Sequence, residues 1–487
     1  MKPSAVNRRT VLAGLAAATA VPALAACSGD ADTTSGTDAG TTAYDTSSGH
    51  IEEATAITEV YGNGQRLTAV AVKYDQVIES SKLSLTTFEV ADRTVTDVYA
   101  NTAAAKAGHG TDGQYVIIEL SPADDAAAVY QDGFVVGTAA AEKSAASSGQ
   151  KPSGAPSQDS GSGAPQQKRS GGKGMSSGAK VVKAVAKVKQ VKKVTATDGT
   201  VFAAGTAVKS SKIINLIVDD FHQGLKYKDA DTGNSLQYNL YVPDGYDPAD
   251  TSTKYPLVLF MHDAGTCSTN TLITLTHGLG AVVWASPESQ AKNPCFVLAP
   301  QFTDESNEGS DGNTKALKTI KGLVDSLTSK YRIDTDRLYT TGQSGGAMTS
   351  IALDFTYPDL FAASFLVAGQ WDDLAAVKPL AKQKIWAVVS QGDETAYPGM
   401  TGVMDTIEKQ GTDVSRAVWN GQSTPAEFAP LTAKMRAKGT PVNFVALKKG
   451  TVVWPGLEES SVDNHICTWR AAYTIEGIRD WVFEQSK

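Results

Sequence analysis

A serine between glycines in the second half of the chain has the residue types and spacing for nucleophilic chemistry. Gly342-Gln343-Ser344-Gly345-Gly346 follows an apolar run that ends at Thr341 and precedes an apolar helical pattern. A G-x-S-x-G segment between a strand and a helix holds the serine in a sharp, strained turn and exposes its hydroxyl. We therefore predict that Ser344 is a nucleophile, and a purely structural turn is the alternative.

A serine hydroxyl needs a base, and the order of residues along the chain indicates which histidine supplies it. On sheets that carry this turn, the nucleophile comes first, an acidic residue second and the histidine last. Of the six histidines, only His465 follows Ser344. We predict that His465 is the base and lies in a loop just before the final helix. A surface histidine without a catalytic role is the alternative.

The acidic partner of the histidine is expected beyond a later strand. The apolar run 385–389 leads into Asp393 and Glu394, and we choose Asp393 first and Glu394 second. Asp372 or Asp373, after the strand near Phe365, is a third option. The role of this acid is to fix the imidazole tautomer and to stabilise the imidazolium, not to accept the proton.

The negative oxygen that forms during acyl transfer needs backbone N–H donors. We expect one donor at Gly345, the residue after the nucleophile. The second is expected in the loop His262-Asp263-Ala264-Gly265, and we choose Ala264. Removing one such donor costs about 3–4 kcal/mol of barrier, so we expect this loop to be functional.

Strands alternate with helices in residues 218–487, which are the elements that must position these side chains. Short apolar runs predict buried parallel strands, and apolar stripes at helical spacing predict helices. The predicted fold is therefore α/β, with a mostly parallel sheet covered by helices on both faces. The strand runs are 257–261, 296–299, 338–341 and 385–389, and the helical stripes span 317–327 and 475–482.

Residues 50–217 have a different texture, with β-branched runs at 82–90, 115–120 and 182–189. Together with Gly/Asn/Asp turns they predict a small β-sandwich. Residues 144–179 contain no Leu, Ile, Val, Phe, Tyr or Trp and predict a disordered insert. Nine basic and no acidic residues lie between Lys168 and Lys193. These basic side chains could bind anionic polymers or lipid head groups. The alternative, which we favour, is that they belong to a solvated linker.

The first residues predict export. Arg8 and Arg9 precede an Ala-rich apolar stretch, and 1–26 fits a twin-arginine signal. Leu24-Ala-Ala-Cys27 resembles a bacterial lipobox, so we expect Cys27 to carry lipid and to anchor the protein at the cell surface. The polar tether 27–49 follows. Cleavage after Ala25, which would release a soluble secreted protein, is the alternative.

Composition excludes several classes of protein. The chain has 487 residues, of which 41% are hydrophobic, and a net charge of −8, which argues against nucleic acid as a partner. It lacks an apolar run of the roughly 18–20 residues that a spanning helix needs. The four cysteines are too few for a disulfide scaffold.

Several segments resemble the esterase/predicted-peptidase branch of the α/β-hydrolases, which is related to polyhydroxybutyrate depolymerases and to feruloyl and acetylxylan esterases. The resemblance covers about residues 219–487. Some members carry an immunoglobulin-like domain before the hydrolase, which suits residues 50–217. The resemblance implies cofactor-free hydrolysis of carboxylic esters through an acyl-enzyme, without a metal. The segments are Tyr238–Pro243, Tyr255–His262, Val297–Gln301, the Ser344 turn and the stretch from His465 through Trp469 and Tyr473 to Trp481.

On this map, Cys267 and Cys467 both belong at the carboxyl end of the sheet and Cys295 at the opposite end. We predict a Cys267–Cys467 disulfide if any forms, with three inert cysteines as the alternative. Trp371 and Trp454 are candidates for lining a substrate pocket, with plain packing as the alternative. The map departs from relatives at His262-Asp263, where they often have His-Gly.

The expected function is therefore a surface-anchored serine esterase acting on a small or polymer-linked ester. A serine peptidase of the prolyl-oligopeptidase type would use the same three residues. A non-catalytic binding lipoprotein is the remaining alternative. The sequence leaves the ester class open among phenolic, acetyl-sugar and hydroxyalkanoate esters.

Overall fold

A computed structural model describes residues 50–131, 178–304, 308–454, 457 and 459–487. The expected signal 1–26, the lipidated Cys27, the tether 27–49 and residues 144–177 of the expected insert lie outside these ranges. Residue contacts divide the chain into two units. The first unit contains the described residues up to Glu59, Arg66–Ala128 and Lys183–Asn215. The second begins its long run at Leu216 and also includes Val60–Gln65 and the described ends of Val129–Val182.

Two sheets account for most of the first unit. A five-stranded sheet has the order β12-β1-β2-β5-β4, and a three-stranded sheet has the order β11-β8-β3. Strands β9 and β10 pair with each other, as do β6 and β7, which belong to the second unit. The bounds are β1 (Ile51–Tyr61), β2 (Gly64–Ile78), β3 (Phe88–Val90), β4 (Val95–Asn101), β5 (Gly113–Leu120), β6 (Tyr130–Gln131), β7 (Lys180–Val181), β8 (Lys187–Gln190), β9 (Val194–Thr195), β10 (Val201–Phe202), β11 (Val208–Lys209) and β12 (Lys212–Asn215).

Two of the predicted strands in this unit are shorter than the sequence indicated. The run 82–90 forms a strand only at Phe88–Val90, because the Ser84 N–H donates to the Thr87 hydroxyl and turns the chain. The run 182–189 forms β8 only from Lys187, because the Ala186 N–H donates to the Ser210 hydroxyl instead of to a strand. Because these two backbone N–H groups donate to side-chain hydroxyls, they do not pair with a neighbouring strand.

A nine-stranded sheet forms the centre of the second unit, in the order β13-β14-β16-β15-β17-β18-β19-β21-β20. Strand β14 is antiparallel to both of its neighbours, and all pairs from β16 to β20 are parallel. The bounds are β13 (His222–Lys228), β14 (Ser235–Tyr241), β15 (Tyr255–Met261), β16 (Phe296–Gln301), β17 (Ile333–Gln343), β18 (Ala363–Val367), β19 (Ile385–Ser390), β20 (Val414–Trp419) and β21 (Val442–Leu447).

Helices cover both faces of this sheet. The bounds are α1 (Ile273–Thr276), α2 (Leu279–Val282), α3 (Pro287–Lys292), α4 (Thr314–Lys330), α5 (Gly345–Thr356), α6 (Ala396–Lys409), α7 (Pro425–Arg436), α8 (Ser461–Ala472) and α9 (Glu476–Phe483). Side chains alternate along β15, so Leu259 packs in one core with α4, α5 and α6. Phe260 packs in the other core with α7, α8 and α9. The predicted α/β fold is confirmed.

The three cysteines of the second unit are divided between the two cores, which bears on the predicted disulfide. Cys267 lies in the core with α4 to α6, whereas Cys295 and Cys467 lie in the core on the opposite face. Cys467 is a reduced thiol that accepts from the Arg470 guanidinium at 3.7 Å. The Cys267–Cys467 disulfide is therefore not formed, because the sheet separates the two residues. Chain position placed both near one edge but did not show on which face each would pack.

Within the residues that the structure describes, we find no helix with the length and apolar character needed to cross a bilayer.

The buried carboxyl of Asp354, on α5, is expected to make the stability of the folded protein depend on pH. Asp354 is 1% exposed, and its burial, only partly opposed by a Ser364 hydroxyl, raises its pKa to about 7. In the unfolded chain the carboxyl loses its proton near pH ~3.9. Between these values the unfolded state releases a proton that the folded state keeps, so stability falls as the pH rises from 4 to 7.

We expect Asp354→Asn to remove this loss, because the amide does not titrate. Relative to the wild type, the variant should gain roughly 2–4 kcal/mol of unfolding free energy between pH 4.5 and pH 8. Urea unfolding of both proteins at the two pH values measures this difference. A difference that stays constant with pH would contradict it.

Candidate active site

Ser344 lies at the end of β17 in a backbone conformation that few non-glycine residues adopt. Its φ is 50° and its ψ is −118°, and the next residue begins α5. The Ser344 N–H donates to the Val367 carbonyl of β18 at 2.9 Å, which holds this conformation in place. Backbone strain of this kind persists only where the surroundings enforce it, and it is concentrated at functional sites.

The glycines around Ser344 are required by close backbone approach. A Cβ on Gly346 would lie 2.1 Å from the Met261 carbonyl oxygen of β15. A Cβ on Gly342 would lie 2.3 Å from the Gly346 carbonyl carbon. Because both obstacles are main-chain atoms, no side-chain movement could make room. The start of α5 therefore packs directly on the end of β15.

A chain of hydrogen bonds joins Ser344, His465 and Asp393. His465 Nε2 lies 2.8 Å from Ser344 Oγ, and His465 Nδ1 lies 2.5 Å from Asp393 Oδ2. A carboxylate can only accept, so the ring proton belongs on Nδ1 and Nε2 is left to accept from the serine hydroxyl. This is the tautomer that a general base for Ser344 requires.

The environment of Asp393 keeps its carboxylate charged. The residue is 2% exposed, and burial by itself raises its pKa. Hydrogen bonds from His465 and from the N–H groups of Thr395 and Ala396 outweigh burial and hold the pKa below its usual value. The two N–H groups lie 3.1 and 2.9 Å from Oδ1.

The structure thus brings Asp393 to His465, whereas the other acids that the sequence offered lie elsewhere. Glu394, Asp372 and Asp373 are exposed. The Glu394 N–H donates to the Ser461 hydroxyl at 2.9 Å, and the Asp373 carboxylate accepts from N–H groups of its own loop.

His465 lies in a helix, so the expectation of a loop was wrong. The Ser460 hydroxyl accepts from the Asp463 N–H at 3.0 Å, which caps α8 and starts it at Ser461. His465 therefore occupies the second turn of α8. The Ser-x-x-Asp spacing was the signal that could have predicted this start.

Two neighbours of His465 on α8 were missed. Trp469, one turn further on, packs edge-to-face on the imidazole with 5.3 Å between ring centroids. Asn464 accepts from the buried Ser390 hydroxyl at 2.8 Å, which ties the loop that carries Asp393 to the helix that carries His465. A helix assigned through residue 465 would have shown that His465 and Trp469 share a face.

The hydrogen bonds of the loop after β15 determine the direction of the Ala264 N–H, the predicted second oxyanion donor. The Asp263 carbonyl accepts from the Thr266 N–H at 3.1 Å and from the Thr266 hydroxyl at 2.9 Å. His262 Nδ1 also lies 2.8 Å from this carbonyl. In a planar trans peptide, the N–H points away from the carbonyl. The Ala264 N–H is therefore directed away from these three groups.

His262 is held as a neutral ring with a fixed tautomer. Its Nε2 accepts from the Phe302 N–H at 2.9 Å, so its proton lies on Nδ1. Burial lowers the pKa of His262 to about 4. The uncharged imidazole thus connects the loop to the end of β16.

The other predicted donor, the Gly345 N–H, is at the first position of α5. The first N–H groups of a helix have no acceptor within the helix and lie at the positive end of its dipole. Both predicted donors therefore belong to segments next to Ser344, one on each side of the contact between Gly346 and Met261.

The candidate pocket residues differ in their surroundings. Trp371 is buried against Phe355, with 5.2 Å between ring centroids, in the core beneath α5. Trp454 is 41% exposed, and the Arg470 guanidinium lies 5.5 Å from its ring centroid. A role in substrate binding stays a prediction for both. Within the described ranges, no group of three or more His, Cys, Asp or Glu side chains is arranged to hold a metal ion.

Two family models match the chain. The esterase Ig-like N-terminal domain matches residues 53–203, and the esterase PHB depolymerase domain matches residues 236–409. A solved structure described as a thermostable esterase is similar over 90% of this chain and all of that chain, with a TM-score of 0.68 and 25% identity. Two separate parts of the chain thus match the domains of an esterase that carries an Ig-like N-terminal domain. The immunoglobulin-like N-terminal domain and the family that the sequence resembled are confirmed.

Curated relatives of the chain are acetylxylan esterases. Acetylxylan esterase A of Emericella nidulans is 30% identical over 128 residues, which is 23% of this chain and 40% of that protein. Acetylxylan esterase A of Aspergillus ficuum is 27% identical over 189 residues, which is 35% of this chain and 58% of that protein. The similarity thus spans about half the length of these relatives.

The backbone contact beneath Ser344 generates a second prediction. We expect Gly346→Ala to lower kcat for ester hydrolysis by at least about 100-fold, because the added methyl would force α5 away from β15 and move the oxyanion donors. Hydrolysis of p-nitrophenyl acetate measures the effect.

Gly402→Ala on α6 is the matched control. Its Cβ would lie 3.5 Å from the Leu374 side chain, an ordinary contact, so activity should stay near the wild-type value. Equal activity of the two variants would show that the close approach at Gly346 is not needed.

Proposed function

We propose that this protein is a serine esterase that hydrolyses carboxylic esters through an acyl-enzyme. The observation that carries the proposal is the chain of hydrogen bonds from Asp393 through His465 to Ser344 at a strained turn between a strand and a helix. The matches to the esterase Ig-like N-terminal domain and to the esterase PHB depolymerase domain support it. Nothing in this reaction requires a cofactor.

The first half of the reaction acylates the serine. Ser344 Oγ attacks the ester carbonyl carbon while His465 Nε2 takes the hydroxyl proton, and Asp393 stabilises the imidazolium that forms. The carbonyl oxygen becomes an oxyanion, which the N–H groups of Gly345 and Ala264 receive. Collapse of this intermediate breaks the bond to the alcohol oxygen, and His465 returns the proton to that leaving group.

The second half regenerates the enzyme. Water gives a proton to His465 Nε2 and attacks the acyl carbon, and the same two N–H groups receive the oxyanion. The bond to Ser344 Oγ then breaks, the carboxylic acid departs, and the serine recovers its proton from His465. The lowered pKa of Asp393 keeps its carboxylate charged, so it stabilises the imidazolium in both halves.

For the substrate, we propose an acetyl ester carried on a sugar polymer. The acetylxylan esterases among the relatives favour this class over phenolic and hydroxyalkanoate esters. The N-terminal sequence supports export and anchoring through a lipid on Cys27, which would place the enzyme at the cell surface.

The proposal predicts the effects of changing two of the three residues, Ser344 and Asp393. Ser344→Ala and Asp393→Asn should each lower kcat on p-nitrophenyl acetate by on the order of 10⁴-fold, since they remove the nucleophile and the correct tautomer. Ser329→Ala, on the exposed side of α4, is the control and should leave kcat unchanged. Mass spectrometry after rapid acid quench should detect an acyl group on Ser344.

Substrate profiling separates the alternatives. Acetylated xylo-oligosaccharide, methyl ferulate, a 3-hydroxybutyrate oligomer and a peptide anilide should be compared by kcat/KM. We expect the acetylated sugar to rank first. A higher kcat/KM on the peptide anilide would favour a peptidase, and turnover that survives Ser344→Ala would contradict both enzymatic functions.

A further inference from the structure

A buried hydrogen bond joins the loop after β15 to the residue before the nucleophile. Gln343 Nε2 donates to Asp263 Oδ2 at 3.0 Å, although the two residues are 80 positions apart in the chain. Gln343 is fully buried and Asp263 is 8% exposed. Neither side chain takes part in the proton transfers described above.

The two residues of this hydrogen bond lie close in the chain to the two proposed oxyanion donors. Asp263 directly precedes Ala264, and Gln343 lies two residues before Gly345. Strands β15 and β17 are neighbours, and Met261 pairs with Gly342 at their ends. The Asp263–Gln343 bond therefore spans the two segments whose separation sets the distance between the donors.

His277 completes the arrangement. Its Nδ1 lies 2.9 Å from the Ile273 carbonyl, which can only accept, so Nδ1 carries the proton and Nε2 is an acceptor. That Nε2 lies 3.1 Å from Gln343 Nε2. The amide has two hydrogens, so it can donate to Asp263 and to His277 at the same time. Two fixed acceptors leave the Gln343 side chain a single orientation.

The charge of Asp263 argues against a direct electrostatic contribution. A carboxylate next to the oxyanion donors would oppose the negative charge that develops there. Its hydrogen bonds, from Gln343 and from the Thr266 hydroxyl at 3.3 Å, instead hold the loop in place. His277 Nε2 lies 3.6 Å from the same carboxylate oxygen. We therefore assign Asp263 a structural role, which is to connect the loop after β15 to the end of β17.

We propose that Asp263 and Gln343 are positioning residues that together set the spacing of the oxyanion hole. The inference rests on the proposed function, because it assumes that Ala264 and Gly345 supply the donors. It also gives a physical reason for the aspartate at position 263. A glycine at position 263 would leave the Gln343 amide without its carboxylate acceptor.

The test compares variants that remove the bond with one that preserves it. Asp263→Ala and Gln343→Met should each lower kcat on p-nitrophenyl acetate by about 10- to 100-fold, with KM within twofold of the wild type. The double variant should be no slower than the slower single variant, since both changes break one connection. Asp263→Asn keeps an acceptor for Gln343 and should restore kcat to within about threefold of the wild type.

A second readout separates positioning from general loss of structure. Binding of an alkyl boronic acid, which mimics the tetrahedral intermediate, should weaken by the same factor as kcat in Gln343→Met. Gln383→Met is the matched control, because this buried glutamine, two residues before β19, donates to the Pro358 carbonyl at 2.7 Å. Its kcat should stay at the wild-type value even if its Tm falls.

The outcomes distinguish this inference from the proposed function. Wild-type kcat in Gln343→Met, additive losses in the double variant, or equal losses in Asp263→Asn and Asp263→Ala would each overturn it, provided that turnover still depends on Ser344. Ester turnover that is independent of Ser344 would instead overturn the proposed function. If Asp263→Ala does not fold, Asp263→Asn and Gln343→Met still decide.

Discussion

The direct contact of the first turn of α5 with the end of β15 is the constraint on which the site depends. Gly346 has no side chain, so the helix can approach the Met261 carbonyl closely. The same approach brings the end of β15 close to the turn at Ser344, whose φ is positive. The strain is maintained because neighbouring strands and the helix fix both ends of the turn. The geometry of the candidate site is therefore a consequence of backbone packing.

Two buried side chains near this contact, Asp393 and His262, are each held in one charge state. Asp393 stays ionised because three donors outweigh its burial, whereas His262 stays neutral because its burial dominates. Hydrogen bonds then connect the segments in pairs: Asp263 with Gln343, and Ser390 with Asn464. A low local dielectric strengthens such bonds and makes unpaired groups costly. The residues to which we assign the reaction are thus held in place by partners to which we assign no chemical role.

Much of the fold could be predicted because buried parallel strands and amphipathic helices have distinct periodicities. The strands that contain 257–261 and 385–389 are examples, and the α/β architecture followed from them. The strands predicted at 82–90 and 182–189 were too long, because backbone N–H groups there donate to the Thr87 and Ser210 hydroxyls instead of to a neighbouring strand. The placement of His465 in a loop failed because the cap at Ser460 was not recognised.

The order of nucleophile, acid and base along the chain, with Ser344 first and His465 last, and the glycines of the turn could be predicted, because local sterics and strand–helix alternation are encoded over short distances. The choice of Asp393 among the candidate acids, the packing of Trp469 on the imidazole, and the location of Cys267 and Cys467 on opposite faces of the sheet emerged only from the folded structure. It also revealed the bond between Asp263 and Gln343. These outcomes depend on strand order and on the face that each side chain takes, which join residues far apart in the chain.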